Sequence, residues 1–235
     1  MRTGIVIQAR MGSSRFPGKI LAPLAGRPLL EQLVNRLLGI QGIDLRVIAT
    51  STLRSDVPVA LFSEYLGLPC FRGSEHNVLK RYADAAVRFQ LEAVVRVCGD
   101  SPLTDPDGIR ALLSAQASSG SSFVHNRHAT GWPVGTAADL ITTKALLETH
   151  ARAKEHRERE HVIPYMIRHG RHFGERKIEA PPHLQASWCD FSVDHPHQLK
   201  TLNQIMSNFP DLSFREISLS AVLSLQIVRA TDPNR

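Results

Sequence analysis

Apolar runs of strand length alternate with segments of helical period through the first half of this chain, and that rhythm leaves few folds open. Strands are expected at 4–8, 45–50, 70–71, 93–98 and 122–125. Between them, residues 29–38, 57–66, 78–89 and 107–117 carry apolar side chains at spacings of three and four, the mark of amphipathic helices. Strand and helix in regular alternation predict an α/β fold whose parallel sheet is covered on both faces. The run Val94-Val95-Arg96-Val97 is nearly continuous in apolar character, as a strand buried on both sides requires.

After about residue 126 the rhythm changes. A polar loop punctuated by Gly and Pro at 126–133 precedes a strand at 139–141 and a helix from Thr143. The charged stretch 152–161 reads as the solvated face of a helix leading into 162–168. A strand at 191–193, a helix at 197–206 and a last helix at 220–228 complete the expectation. There is no repeat, low-complexity tract or linker. At 235 residues and 43% apolar content the chain can bury a full core, so one domain spanning 1–235 is expected.

The charge is unevenly placed. The first thirty residues hold Arg2, Arg10, Arg15, Lys19 and Arg27 and no carboxylate; Glu31 is the first acid. With those five set aside, 23 of the 28 basic residues remain against 22 acidic ones, so the formal charge of +6 is a local excess. A nucleic-acid binder spreads its cations over a broad face, and no nucleic-acid partner is expected. Cys70, Cys98 and Cys189 are odd in number and form no CxxC pair, which fits a reducing compartment and no structural zinc. No apolar stretch reaches the length of a signal-peptide core or a membrane span, so a cytoplasmic protein without a membrane span is expected.

Three of the early cations, Arg10, Arg15 and Lys19, belong to the loop that follows the strand at 4–8. The segment Gln8-Ala9-Arg10-Met11-Gly12-Ser13-Ser14-Arg15-Phe16-Pro17-Gly18-Lys19 combines glycine, hydroxyls and cations. Glycine lets backbone approach an anion, N–H and hydroxyl groups donate to it, and arginine and lysine balance its charge. The loop departs twice from a Walker A sequence: five residues separate Gly12 from Gly18, and Ile20 stands where Ser or Thr would follow the lysine. It also lacks GxGxxG. What remains is a polyphosphate cradle of another kind.

Two aspartates follow expected strands. Cys98-Gly99-Asp100-Ser101-Pro102 ends the strand at 93–98, and Phe191-Ser192-Val193-Asp194-His195-Pro196 repeats the pattern. Ligands of such sheets sit beyond the carboxyl ends of the strands, which places the cradle, Asp100 and Asp194 near one another. Two carboxylates facing one Mg²⁺ would hold it against phosphate oxygens. Asp105 is the better cap for the helix after Pro106, leaving Asp100 free; Asp194 could instead cap the helix after Pro196. Among the eleven histidines, His156 and His161 are five apart and do not share a helix face, so no zinc site is expected.

The 8–19 segment closely resembles the signature of the cytidylyltransferases, the family that includes the CMP-Kdo and CMP-acylneuraminate synthetases. The spore-coat polysaccharide type, SpsF, is the branch it looks most like. Further matches follow in order: Arg72-Gly73-Ser74-Glu75-His76-Asn77-Val78-Leu79-Lys80-Arg81-Tyr82, Gly99-Asp100-Ser101-Pro102-Leu103, Arg159-Glu160-His161-Val162-Ile163-Pro164-Tyr165 and Val193-Asp194-His195-Pro196. The resemblance implies a single-domain, three-layer α/β/α Rossmann-like fold of the GT-A-like nucleotidyltransferase kind, with a mostly parallel mixed sheet. It implies Mg²⁺-dependent transfer of CMP from CTP to a sugar or sugar-acid acceptor with release of pyrophosphate, and a homodimer. Carried over position by position, Gln8, Ala9, Arg10, Gly12, Ser13, Ser14, Arg15 and Lys19 would bind CTP, with Arg10, Ser13, Arg15 and Lys19 holding its triphosphate. Ser74, Glu75, Asn77 and Arg81 would lie near the base or ribose, and Asp100 and Asp194 would ligate Mg²⁺. Arg15, Lys19 and Asp100 are the expected catalytic residues, and Asn126, Asp139 and His161 the acceptor-side candidates.

The chain departs from the branch at two places. Where Pro-x-Gly-Leu-Asp-Val-Glu is common, it reads Pro133-Val134-Gly135-Thr136-Ala137-Ala138-Asp139, and Asp190 occupies a position often basic. Both lie toward the acceptor side, so an unusual acceptor is expected. Two other readings stand beside this one: a GT-A-like glycosyltransferase using a nucleotide-sugar, and a non-catalytic nucleotide-binding homologue.

Overall fold

The computed structural model describes residues 1–231. In chain order, β1 (Thr3–Gln8) leads through the basic loop to a short hairpin, β2 (Pro23–Leu24) and β3 (Arg27–Pro28). Then come α1 (Leu29–Arg36), β4 (Leu45–Ser51), α2 (Val57–Tyr65), β5 (Cys70–Gly73), α3 (Val78–Arg88), β6 (Ala93–Cys98) and α4 (Pro106–Ser119). The second half supplies β7 (Phe123–His125), β8 (Asp139–Thr142), α5 (Thr143–Arg152), α6 (His156–His161) and α7 (Pro164–Arg168). It closes with β9 (Arg176–Lys177), α8 (Pro196–Met206) and α9 (Leu219–Thr231).

Seven strands form one sheet in the order β5-β4-β1-β6-β8-β7-β9. The β5-β4, β4-β1, β1-β6 and β7-β9 pairs are parallel, whereas β8 runs antiparallel to both β6 and β7. The expected mostly parallel mixed sheet in a single α/β domain is what the chain forms. Helices cover both faces. Val6, Val47 and Val94 pack with α3 and α5 on one side, while Ile5, Ile7, Ile48 and Val95 pack with α1, α2 and α4 on the other. A third cluster joins Leu24, Leu29, Leu103 and Trp132 to Phe191, Val193 and the C-terminal helices. Local chemistry sets the boundaries. The Asn77 side chain accepts from Lys80 N at the start of α3, and Asp105 accepts from Gly108 N at the start of α4.

The strand order reverses between β1 and β6. Chain order proceeds from β1 outward through β4 and β5, then returns to place β6 on the other flank of β1. At such a switch point the loops beyond the two strands diverge and leave a crevice. The cradle follows β1 and Asp100 follows β6, so the topology itself brings them together.

Two expectations need correction. Residues 191–193 are no sheet strand; an isolated bridge, Val134 to Asp190, lies just before them. The segment crosses the end of β6 instead, where Val193 N donates to Asp100 O at 2.8 Å. Nor is 152–161 one solvated helix. The chain breaks between Arg152 and His156, and Glu158 turns inward at 2% exposure, accepting from the backbone N of Lys154 and Glu155. Capping the second helix outweighs the solvation of that one carboxylate. No described helix is long and apolar enough to cross a membrane.

Candidate active site

The basic loop is folded back on itself and pinned. Gly18 N and Ser13 N both donate to Met11 O, at 2.9 and 3.1 Å, and Phe16 N donates to Ser13 Oγ. Gly18 adopts φ +75°, a left-handed conformation that costs glycine little. The turn sends Lys19 inward, to 7% exposure. A residue the sequence reasoning missed anchors the loop from outside: Asp56, itself buried, accepts from Met11 N at 2.7 Å and from the Ser51 hydroxyl. No spacing in the sequence links positions 45 apart, so only the fold reveals that contact.

Lys19 is the centre of the site. Its Nζ donates to Asp100 Oδ2 at 2.7 Å and to Asp194 Oδ1 at 2.8 Å, and Arg15 takes the other oxygen of Asp194 at 2.8 Å. Residues 19, 100 and 194, distant in sequence, thus meet at one ammonium. Burial pushes the Asp194 carboxyl up, but the hydrogen bond and charge of Lys19, with Arg15, outweigh it and hold the group below the usual carboxylate range. Asp194 caps no helix: His195 takes that position for α8, and Gln198 Oε1 reaches back to accept from Asp194 N at 2.7 Å.

A cavity of about 400 Å³ opens over this centre. Gln8, Ala9, Arg10, Gly12, Ser13, Ser14, Arg15, Lys19, Arg81, Asp100, His161 and Asp194 all line it, so most of the expected site residues converge. Ile20, Val78, Gly99 and Glu160 complete the wall. Two buried polar atoms of lining residues, Gln8 Oε1 and Arg81 Nε, have no hydrogen-bond partner in the protein. Such groups are costly to leave unpaired. His161 is held by an unusual turn. Ile163 N donates to His161 O at 2.9 Å across Val162, whose φ of +71° and ψ of −55° form a γ-turn of the rare, strained kind.

Other expected residues lie elsewhere. Ser74 and Asn77 spend their side chains locally, Ser74 Oγ accepting from Asn77 N and Asn77 Oδ1 from Lys80 N; with Glu75 they stay out of the cavity wall. Asn126 is buried, and its Oδ1 accepts from Ala138 N. Asp139 is 1% exposed beneath the sheet end, where it accepts from Arg96 at 2.9 Å and Arg127 at 3.1 Å. Burial raises its carboxyl, and the two guanidiniums more than reverse that shift. Asn126 and Asp139 are therefore buried and do not line the cavity.

A family model described as "Cytidylyltransferase" matches residues 4–209. The chain belongs to the cytidylyltransferase family. This cytidylyltransferase is 30% identical over 220 residues to the spore coat polysaccharide biosynthesis protein SpsF of Bacillus subtilis, covering 90% of each chain. It is similar throughout its length to the solved structure of a cytidylyltransferase from Leptospira borgpetersenii, with a TM-score of 0.91 and 26% identity over 100% of this chain and 98% of that one. It shares its fold, at TM-score 0.67 and 18% identity, with a CMP:2-keto-3-deoxy-manno-octonic acid synthetase solved with CTP; the match covers 88% of this chain and 99% of that one. The resemblance read from the motifs holds, and of the three readings left open by the sequence, the nucleotidyltransferase is the one that family membership supports.

Proposed function

We propose that this enzyme transfers CMP from CTP to a sugar or sugar-acid hydroxyl, with Mg²⁺ and release of pyrophosphate, in the making of a surface polysaccharide or glycoconjugate. The observation that carries the reading is the convergence of Lys19, Asp100, Asp194 and Arg15 under one cavity, with no contact in that group longer than 2.8 Å. Arg10, Arg15 and Lys19 would face the triphosphate, with Gly12, Ser13 and Ser14 beside it. Such a site accelerates transfer by positioning and by neutralising charge.

Of the lining residues, Gln8 and Arg81 each keep one unpaired polar atom, and the pair suits a cytosine. Gln8 Oε1 wants a donor, which the 4-amino group supplies, and Arg81 Nε–H wants an acceptor, which the ring O2 or N3 supplies. Uracil would set an oxygen against the Gln8 oxygen. In the reaction the acceptor hydroxyl oxygen bonds to the α-phosphorus and the α–β bridging bond breaks. Pyrophosphate leaves with that electron pair, and the hydroxyl proton passes to His161, whose imidazole lines the cavity.

Asp100 and Asp194 offer hard oxygen donors of the kind Mg²⁺ prefers, and Asp100 Oδ1 accepts only a long bond from the Ser101 hydroxyl, at 3.4 Å, among the described residues. When bound there, Mg²⁺ would offset charge on the α-phosphate. A homodimer and a cytoplasmic setting, expected from the sequence, belong to the same proposal.

The test is pyrophosphate release from CTP, UTP, GTP and ATP with Mg²⁺ across a panel of sugar acids and sugars. Release with CTP alone is expected, and Lys19→Ala should lower turnover on the order of 10²-fold or more. A nucleoside diphosphate product, or unchanged turnover in a folded Lys19→Ala protein, would refute the reading.

A further inference from the structure

The cation between Asp100 and Asp194 is the protein's own. Lys19 Nζ touches one oxygen of each carboxylate, at 2.7 and 2.8 Å, from a side chain that is only 8% exposed. The two aspartates cannot simply separate. Val193 N donates to Asp100 O at 2.8 Å, and Gln198 accepts from Asp194 N, so the backbones that carry the two carboxylates are tethered side by side. Like charges held together raise one another's energy unless a cation sits between them. An ammonium and a divalent ion cannot share that place.

We propose that Lys19 is a resident cation, holding the paired aspartates in the nucleotide-free enzyme and ceding them to a divalent metal ion only when a triphosphate draws the ammonium away. Binding of metal and nucleotide is then mutually dependent, because each removes an obstacle to the other. The inference rests on the functional reading above for the presence of a nucleotide, but its central contact is independent of which nucleotide that is. Two carboxylates alone are also a sparse ligand set for a hard cation, which takes its remaining oxygens from phosphate and water; among the described residues no third acidic, His or Cys ligand joins them.

The test uses Mn²⁺ as the probe, titrated into nucleotide-free protein and read by electron paramagnetic resonance of the free ion. Wild type should bind weakly, and Lys19→Met on the order of tenfold or more tightly, since removing a competing charge from a close pair is worth at least that. The double variant Lys19→Met/Asp100→Asn should lose the gain. Lys19→Gln, with thermal melts of every variant, guards against a misfolded Lys19→Met. Equal affinity in wild type and both single variants overturns the proposal, as does a gain that survives Asp100→Asn. Failure of the functional reading shows separately, as an absence of pyrophosphate from CTP in wild type, and leaves the Mn²⁺ comparison to decide the role of Lys19.

Discussion

Replacing Asp139 by Asn separates a structural role from an acceptor-side one. The substitution keeps the shape and removes the charge, leaving Arg96 in the core with no anion. Arg96 is 8% exposed and Asp139 1%, and their 2.9 Å contact is the buried half of the cluster. The Arg127 half counts for less, because that side chain is 37% exposed and its charge is screened by water. Breaking a buried pair by removing one partner costs about 3–5 kcal/mol. For a chain of this size each kcal/mol lowers Tm by roughly 2–4 °C, so a fall of about 6–20 °C is expected in a thermal melt. The pH dependence has a definite sign. The folded carboxyl lies below its ordinary value, so its contribution is complete above the unfolded value of about 3.9 and is lost as pH falls through the lower folded value. Wild-type stability should therefore drop below about pH 4, and that part of the drop should be missing in Asp139→Asn. CTP turnover measured well below the new Tm should stay close to wild type. A variant that melts within a degree or two of wild type yet loses turnover would refute the structural assignment and return Asp139 to the acceptor side.

Two further substitutions probe the nucleotide end of the crevice. Gln8→Leu should leave the fold intact and cut the preference for CTP over UTP roughly tenfold or more, since the amide oxygen is the group that uracil O4 would oppose; competition of the two nucleotides in the pyrophosphate assay reads it, and an unchanged ratio removes Gln8 from base selection. Gly99→Ala should impair the enzyme through geometry. The added methyl would meet Gln8 O at 2.7 Å, backbone that cannot swing aside, and the loop bearing Asp100 must shift. A lower Tm and weaker CTP binding by calorimetry are expected, and a variant matching wild type in both would show that the β1–β6 junction has slack.

The sequence was most legible where local chemistry and sheet geometry agree. Apolar runs mark the strands at β1, β4 and β6 within a residue or so, because the middle of each packs against helices on both faces. The cradle could be read because a polyphosphate loop needs glycine, hydroxyls and cations close together in the chain. Asp194 was placed near Asp100 on a wrong premise. The residues before it read as a strand, yet the segment lies outside the sheet and is held by Phe191 N on Val134 O, Val193 N on Asp100 O and the burial of both side chains. A three-residue extended segment looks the same in sequence whether it joins a sheet or merely crosses one, since the distinction depends on what lies beside it. For Asp139 the motif was legible but its surroundings were not. Its neighbourhood aligned with a family pattern, but the facing direction of an antiparallel strand is fixed by register, and register pairs Asp139 with Arg96. The same register explains why a carboxylate can persist at that depth: β6 delivers a guanidinium to meet it, so Arg96→Leu alone should also destabilise, though less than Asp139→Asn because Arg127 still pairs with Asp139 at 3.1 Å, while the pair replaced together should recover part of the loss.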